Sequence, residues 1–245
     1  MPDIKLICFD LDDTLWSTKQ VMMEAEKQAF TLLSQNATVI AEHYDMMSLF
    51  QARVKKWKQL TASHPQLKYQ ISQLRRQSLS LVLQDHNFSQ SGADQLSDEI
   101  FQCFMHWRHK PIYFEHAEET LAQLSEQYQL AAITNGNACS KRLGLDKYFT
   151  LHISAEDLGI GKPEPEPFVH TLKHFNVKAE EALHIGDNPS DDVLGARQAG
   201  LYTIWYNPKS NPWKEADYKA SLEVDQLNKI PAAVERLQAN LQMKP

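Results

Sequence analysis

The sequence predicts an α/β protein: a parallel sheet wrapped by helices on both faces and interrupted after its first strand by a helical bundle. Three observations point there. Short apolar runs alternate with helical ones outside residues 17–110, as parallel strands joined by crossover helices require. Residues 17–110 hold one glycine (Gly92) and one proline (Pro65), a composition of helices rather than of turn-rich sheet. The remaining glycines all fall between Gly136 and Gly200, where loops between strands and helices must turn tightly.

Taken in order, Ile4–Phe9 reads as a buried first strand. Val21, Ala25, Ala29, Leu32 and Leu33 then mark one face of a helix, with Ser17-Thr18-Lys19-Gln20 as the capping box that opens it. Phe50, Val54 and Trp57 mark a second helix, and Leu67, Ile71, Leu74, Leu81 and Val82 a third. Leu96, Ile100, Cys103, Phe104 and Trp107 mark a fourth, enough for a compact bundle. Leu130–Thr134, Leu151–Ser154, Ala182–Gly186 and Tyr202–Trp205 follow as strands. Glu118–Gln127, Phe168–Phe175 and Asp191–Ala199 lie between them as helices, and a last strand and helix come after Asn207. The expected organisation is a core of residues 1–16 and 111–245 with a helical domain of residues 17–110.

Composition bounds the function. Hydrophobic residues make up 42% and charged residues 23%, too apolar for a disordered chain. Lys and Arg number 25 against 31 acidic residues, with no basic run, which excludes a nucleic-acid binder that tracks phosphates. There is no membrane-length apolar stretch (about 18 residues) and no apolar leader. Three widely spaced cysteines, Cys8, Cys103 and Cys139, suit a reducing compartment rather than a disulfide framework. The expectation is a cytoplasmic protein, monomeric or a weak homodimer, without membrane partners.

Open parallel sheets bind ligands beyond the carboxyl ends of their strands, and four such ends here carry polar groups. They are Asp10-Leu11-Asp12-Asp13-Thr14, Thr134-Asn135-Gly136, Gly161-Lys162-Pro163, and Gly186-Asp187 running on to Asp191-Asp192. Aspartates crowded on one rim repel unless a cation or a lysine offsets them. Hard carboxylate oxygens without a His/Cys pattern favour Mg²⁺, an ion that also grips phosphate oxygens. Thr134, Asn135 and Lys162 supply donors for such an anion. Each piece alone has an ordinary structural explanation as a helix cap, a turn or a solvated lysine. Their ordered recurrence at four strand ends does not.

These motifs resemble those of the haloacid dehalogenase superfamily of hydrolases over nearly the whole chain. The resemblance implies a Rossmann-like core with a helical cap of the C1 type, and Mg²⁺ as cofactor. It implies Asp10 as the nucleophile that forms an aspartyl-phosphate, and Asp12 as the acid and then base. Asp10, Asp187 and the Asp12 backbone carbonyl would hold the metal. Thr134 and Asn135 would hold the phosphoryl oxygens, Lys162 would neutralise nucleophile and phosphoryl group, and Asp192 with Asp191 would orient that lysine.

The acid at Asp12 separates phosphatases from dehalogenases, which as a group lack it because halide departs without a proton. Ala132–Ala138 and the Trp107-Arg108 pair are similar to a bacterial branch acting on flavin mononucleotide and a ribitylamino-uracil phosphate. The implied substrate is a small phosphorylated metabolite, with Arg76 and Arg108 of the helical domain as candidate contacts and Trp16, Trp57, Tyr69 or Trp107 as stacking partners. Nucleotide or sugar-phosphate phosphatases share much of this pattern. A non-hydrolytic phosphoacceptor or phosphate-binding module is the other alternative. None of the ten histidines is assigned to catalysis.

Overall fold

The computed structural model describes residues 3–243. Its strands are β1 (Leu6–Phe9), β2 (Gln129–Thr134), β3 (Leu151–Ser154), β4 (Ala182–Gly186), β5 (Tyr202–Tyr206) and β6 (Leu222–Val224). All pair in parallel, in the order β3-β2-β1-β4-β5-β6. Every residue of β1 is buried, as an interior strand covered on both faces requires. Leu6 and Cys8 point to one face, where they meet Ala131, Ile133 and Ala182 under Phe168, Leu172 and Ala196. The chain runs from β1 outward to β2 and β3, then returns to the opposite flank of β1 as β4. Strand order therefore reverses between β1 and β4, and the crevice at their carboxyl ends is where such sheets take ligands.

The chain divides into two compact units, Met1–Ser17 with Ile112–Pro245, and Thr18–Pro111. The second is helical: α1 (Thr18–Asn36), α2 (Thr38–His43), α3 (Met46–Ser63), α4 (Ile71–Asp85) and α5 (Gln90–Arg108). α5 packs against α1 and α4, and α3 lies on α4. Ala25, Ala29 and Ala93 are buried at these contacts, small enough for close helix approach, while Leu83, Ile100 and Phe104 fill the space between. The first unit adds α6 (Ala117–Ser125), α7 (Ala155–Leu158), α8 (Glu166–Phe175), α9 (Gly195–Gln198) and α10 (Ile230–Gln242). Among the described residues, no helix is long and apolar enough to cross a membrane.

Four details differ from the sequence expectation. A short extra helix, α2, follows α1. The third expected helix is split: Pro65–Tyr69 form a 3₁₀ turn, and Gln70 at φ −100°, ψ 59° breaks the path before α4. α3 buries Leu49 and Arg53 rather than the Phe50, Val54 and Trp57 stripe, and Phe50 is 43% exposed. Its buried position goes to an arginine because Glu26 of α1 pairs with Arg53 at 3.0 Å and also with Arg75 of α4. Finally, the expected Asp191–Ala199 helix opens as a π-helical turn over Pro189–Leu194 before α9. Asn188 caps that turn by accepting from the Ser190 and Asp191 N–H groups, and such widened turns concentrate at functional sites.

Candidate active site

The Asp10 N–H donates to Ile185 O at 2.9 Å, extending the β1–β4 ladder one residue past the end of β1. This carries the Asp10 carboxylate to the sheet edge. The chain then doubles back: the Leu15 N–H donates to Leu11 O at 2.8 Å, and Asp13 adopts a left-handed φ of 59°. The turn aims the buried Thr14 at the same edge, its Oγ1 3.3 Å from Asp10 Oδ2 and 3.5 Å from Asp187 Oδ1. Asp12, half-buried, accepts a hydrogen bond from Trp16 Nε1 at 2.9 Å.

Lys162 reaches this edge from the loop after α7. Its Nζ donates to Asp10 Oδ1 and to Asp192 Oδ1, both at 2.6 Å. Asn135 fixes its backbone at two points: Oδ1 accepts from the Lys162 N–H at 2.8 Å, and Nδ2 donates to Lys162 O at 2.8 Å. The same amide lies 3.3 Å from Asp191 Oδ2. Gly161 is required for this clamp, because a Cβ there would fall 2.4 Å from Asn135 Oδ1. Gly186 is required in turn by Asp192, whose Cγ lies 2.2 Å from where a Gly186 Cβ would be. Asp192 is held from three sides. Besides Lys162, its Oδ1 meets His184 Nε2 at 2.9 Å, and its Oδ2 accepts from the Asn188 N–H at 3.0 Å. Thr134 is buried at the end of β2, where its Oγ1 accepts from the Gly136 N–H at 2.9 Å.

The electrostatics follow from burial. Burial pushes the Asp10 carboxyl well above its usual range, Lys162 opposes this, and the Asp192 and Asp187 charges add to it. Asp187 is pushed up to about 7, first by burial and then by Asp192 and Asp13. Burial also works against the Asp192 charge, yet Lys162 and His184 hold that carboxyl below its usual range. For Lys162, burial disfavours the ammonium, but Asp10 and Asp192 outweigh it and hold the lysine protonated. Asp10, Asp187 and Asp192 each offer an oxygen, all within 4.8 Å of one another. One lysine against three carboxylates leaves a negative excess on hard oxygen donors, a donor set that fits Mg²⁺.

The structure thus brings together Asp10, Asp187, Asp192 and Lys162, with Asn135 joined to the lysine backbone and Asp191 to the Asn135 amide. Arg76 lies on the helical unit, 3.4 Å from Asp98 and over the Phe101 ring. Arg108, at the end of α5, is buried. Sequence reasoning gave no role to Thr14, to His184, or to the Trp16 indole as a partner of Asp12. His184 had a signal, a lone imidazole in the otherwise apolar strand Ala182–Gly186.

A family model of haloacid dehalogenase-like hydrolases matches residues 4–200. The 5-amino-6-(5-phospho-D-ribitylamino)uracil phosphatase YigB of Escherichia coli is 28% identical over 209 residues, covering 84% of this chain and 85% of that protein. A glyceraldehyde 3-phosphate phosphatase of Pyrococcus furiosus is 29% identical over 245 residues, covering 96% and 95%. The crystal structure described as 2-haloacid dehalogenase from Pseudomonas syringae pv. Tomato superposes with a TM-score of 0.88 at 41% identity, covering 96% of this chain and 99% of that one. The chain belongs to the haloacid dehalogenase-like hydrolase family. Within it, the two curated relatives are named as phosphatases and the Pseudomonas syringae structure as a dehalogenase.

Proposed function

We propose that this hydrolase is a Mg²⁺-dependent phosphomonoesterase of the cytoplasm that cleaves a small phosphorylated metabolite through an aspartyl-phosphate on Asp10. The observation that carries it is the Lys162 ammonium held 2.6 Å from both Asp10 and Asp192. The lysine leaves one oxygen of a buried carboxylate for attack on phosphorus while its charge offsets that of the incoming phosphoryl group. Thr134, whose hydroxyl accepts from Gly136, retains its own proton to donate to a phosphoryl oxygen. Asn135 acts by holding the Lys162 backbone in place. Asp12 protonates the leaving alkoxide, then takes the proton of the water that cleaves the aspartyl-phosphate. Asp10, Asp187 and the Asp12 backbone carbonyl hold the Mg²⁺, which supplies charge stabilisation on the phosphoryl oxygens. In this reading residues 17–110 are the helical cap domain, with Arg76 and Arg108 as its candidate substrate contacts.

Within this class we favour flavin mononucleotide or a riboflavin-pathway phosphate; the similarity to YigB, named for a ribitylamino-uracil phosphate, supports the latter. Sugar phosphates are the second reading, supported by the Pyrococcus furiosus relative. The test is turnover of flavin mononucleotide, nucleotides and sugar phosphates side by side with Mg²⁺ and with EDTA, with 2-chloropropionate as a further substrate. Phosphate release that stops with EDTA and no halide release is the expected result. Halide release without phosphatase activity would show the acid at Asp12 to be misread. Hydrolysis of sugar phosphates with flavin mononucleotide ignored would reject the flavin preference alone.

A further inference from the structure

We propose that Trp16 is a positioning residue for Asp12, its indole N–H fixing which carboxyl oxygen carries the catalytic proton. This rests on the assignment of Asp12 as the acid and base. Trp16 Nε1 donates to Asp12 Oδ1 at 2.9 Å. The indole is fully buried and stands edge-on to Tyr113 with ring centroids 5.7 Å apart. Backbone bridges join Trp16 to Asp12 on one side and to Tyr113 on the other. The Asp13 N–H also donates to Trp16 O at 2.8 Å, closing the tight turn that separates the two side chains. Both ends of the Trp16–Asp12 hydrogen bond are therefore anchored, and the carboxyl group inherits the orientation of a rigid ring.

An indole N–H donates and cannot accept. It therefore pairs with the carbonyl-type oxygen of a protonated carboxyl, so Oδ1 takes that role and the proton resides on Oδ2. In the first step an Asp10 oxygen bonds to phosphorus, the bond from the leaving oxygen to phosphorus breaks, and the Oδ2–H proton passes to that leaving oxygen, leaving Asp12 a carboxylate. In the second, a water oxygen bonds to phosphorus, the bond from Asp10 to phosphorus breaks, and one water proton returns to Oδ2. The indole stays on Oδ1 throughout, so the same oxygen gives and recovers the proton without rotation of the carboxyl group.

A purely structural tryptophan would affect all substrates alike, whereas a proton-positioning one matters only when the leaving group needs a proton. The experiment compares kcat/KM of the wild type, Trp16→Phe and Asp12→Asn on p-nitrophenyl phosphate and on a simple alkyl phosphate, with Mg²⁺. Trp16→Phe should lose about tenfold or more on the alkyl ester, out of the ~10²–10⁴-fold that acid–base catalysis contributes, and less than about threefold on the nitrophenyl ester. Asp12→Asn should show the same selectivity more strongly, and adding Trp16→Phe to it should cost nothing further on the alkyl ester. Equal losses on both esters, no loss, or additivity with Asp12→Asn would overturn the proposal.

A second measurement needs no variant at Trp16. The Trp16 indole proton resonance should move upfield in Asp12→Ala, because the acceptor of its hydrogen bond is removed. An unmoved resonance overturns the positioning role by itself. An Asp12→Asn enzyme that treats both esters alike instead overturns the acid assignment beneath it, even where the indole resonance moves.

Discussion

Replacing Lys162 by methionine tests the site where its charges are most tightly balanced. The variant keeps the aliphatic length but leaves Asp10 and Asp192 facing each other without the cation that lies 2.6 Å from each. The lysine side chain is 2% exposed and the two carboxylates 9% and 2%, so water screens little of the loss. Two charge-assisted hydrogen bonds at roughly 1.5–3 kcal/mol each, against the ~3–5 kcal/mol typical of a broken buried pair, give a loss of about 4 kcal/mol. For a chain of this size that is roughly 8–16 °C in Tm. The sign of the pH dependence is set by Asp10, whose carboxyl already lies above its usual range in the fold and rises further without Lys162. A carboxyl raised in the folded state lowers stability as pH climbs from the unfolded pKa through the folded one. The loss in Lys162→Met is therefore full near pH 8 and shrinks near pH 5, and Mg²⁺ should recover part of it. Thermal melts followed by circular dichroism at both pH values, with and without Mg²⁺, read this out. An unchanged Tm at the higher pH, or a larger loss at the lower one, would refute the reasoning.

Asp187→Asn should remove a carboxyl that burial has pushed to about 7, stabilising the metal-free protein near pH 8 by a few kcal/mol (~1.4 per pKa unit). The same variant should lose both the Mg²⁺-induced rise in Tm and the activity, which melts and phosphate release check together. Gly186→Ala puts a Cβ 2.2 Å from Asp192 Cγ; a loss of about 3 kcal/mol of stability, roughly 6–12 °C in Tm, is expected, with loss of turnover. Glu26→Gln leaves Arg53 and Arg75 of the helical unit without their counter-charge and should cost about 3 kcal/mol near pH 7. Burial works against the Glu26 charge, but Arg53 and Arg75 hold its carboxyl below the usual range. Its contribution is therefore present above the ordinary glutamate pKa and fades as pH falls through the lowered one; denaturant titrations near pH 7 and below the ordinary glutamate pKa measure it.

Strands were the most legible part of the fold. Leu151–Ser154 and Ala182–Gly186 have the expected limits because short, mostly apolar runs, each holding a single histidine, are bounded closely by polar segments. The site was legible in part for a related reason: Asp10 and Asp187 directly follow the neighbouring strands β1 and β4, so the sheet sets them side by side, whereas Lys162 arrives from the loop after α7 and Asp192 from the π-helical turn. Helix α3 was harder to read. Its inward face is decided by the ion pair between Arg53 and Glu26, a partner far away in sequence that no local periodicity encodes. The π-helical turn at Pro189–Leu194 depends on a side chain, Asn188, capping two backbone amides, which a count of apolar spacings cannot register. Asn135 looked like a phosphate donor, and only its three-dimensional neighbours reveal that both ends of its amide hold the Lys162 backbone.

Rapid acid quench of the enzyme during turnover with Mg²⁺ and a phosphomonoester, followed by peptide mass spectrometry, tests the central claim most directly. The peptide containing Asp10 should gain the mass of one phosphoryl group on that carboxyl, and the gain should vanish in Asp10→Asn together with turnover. A phosphoryl group on another residue, or turnover that persists in Asp10→Asn, would contradict the account.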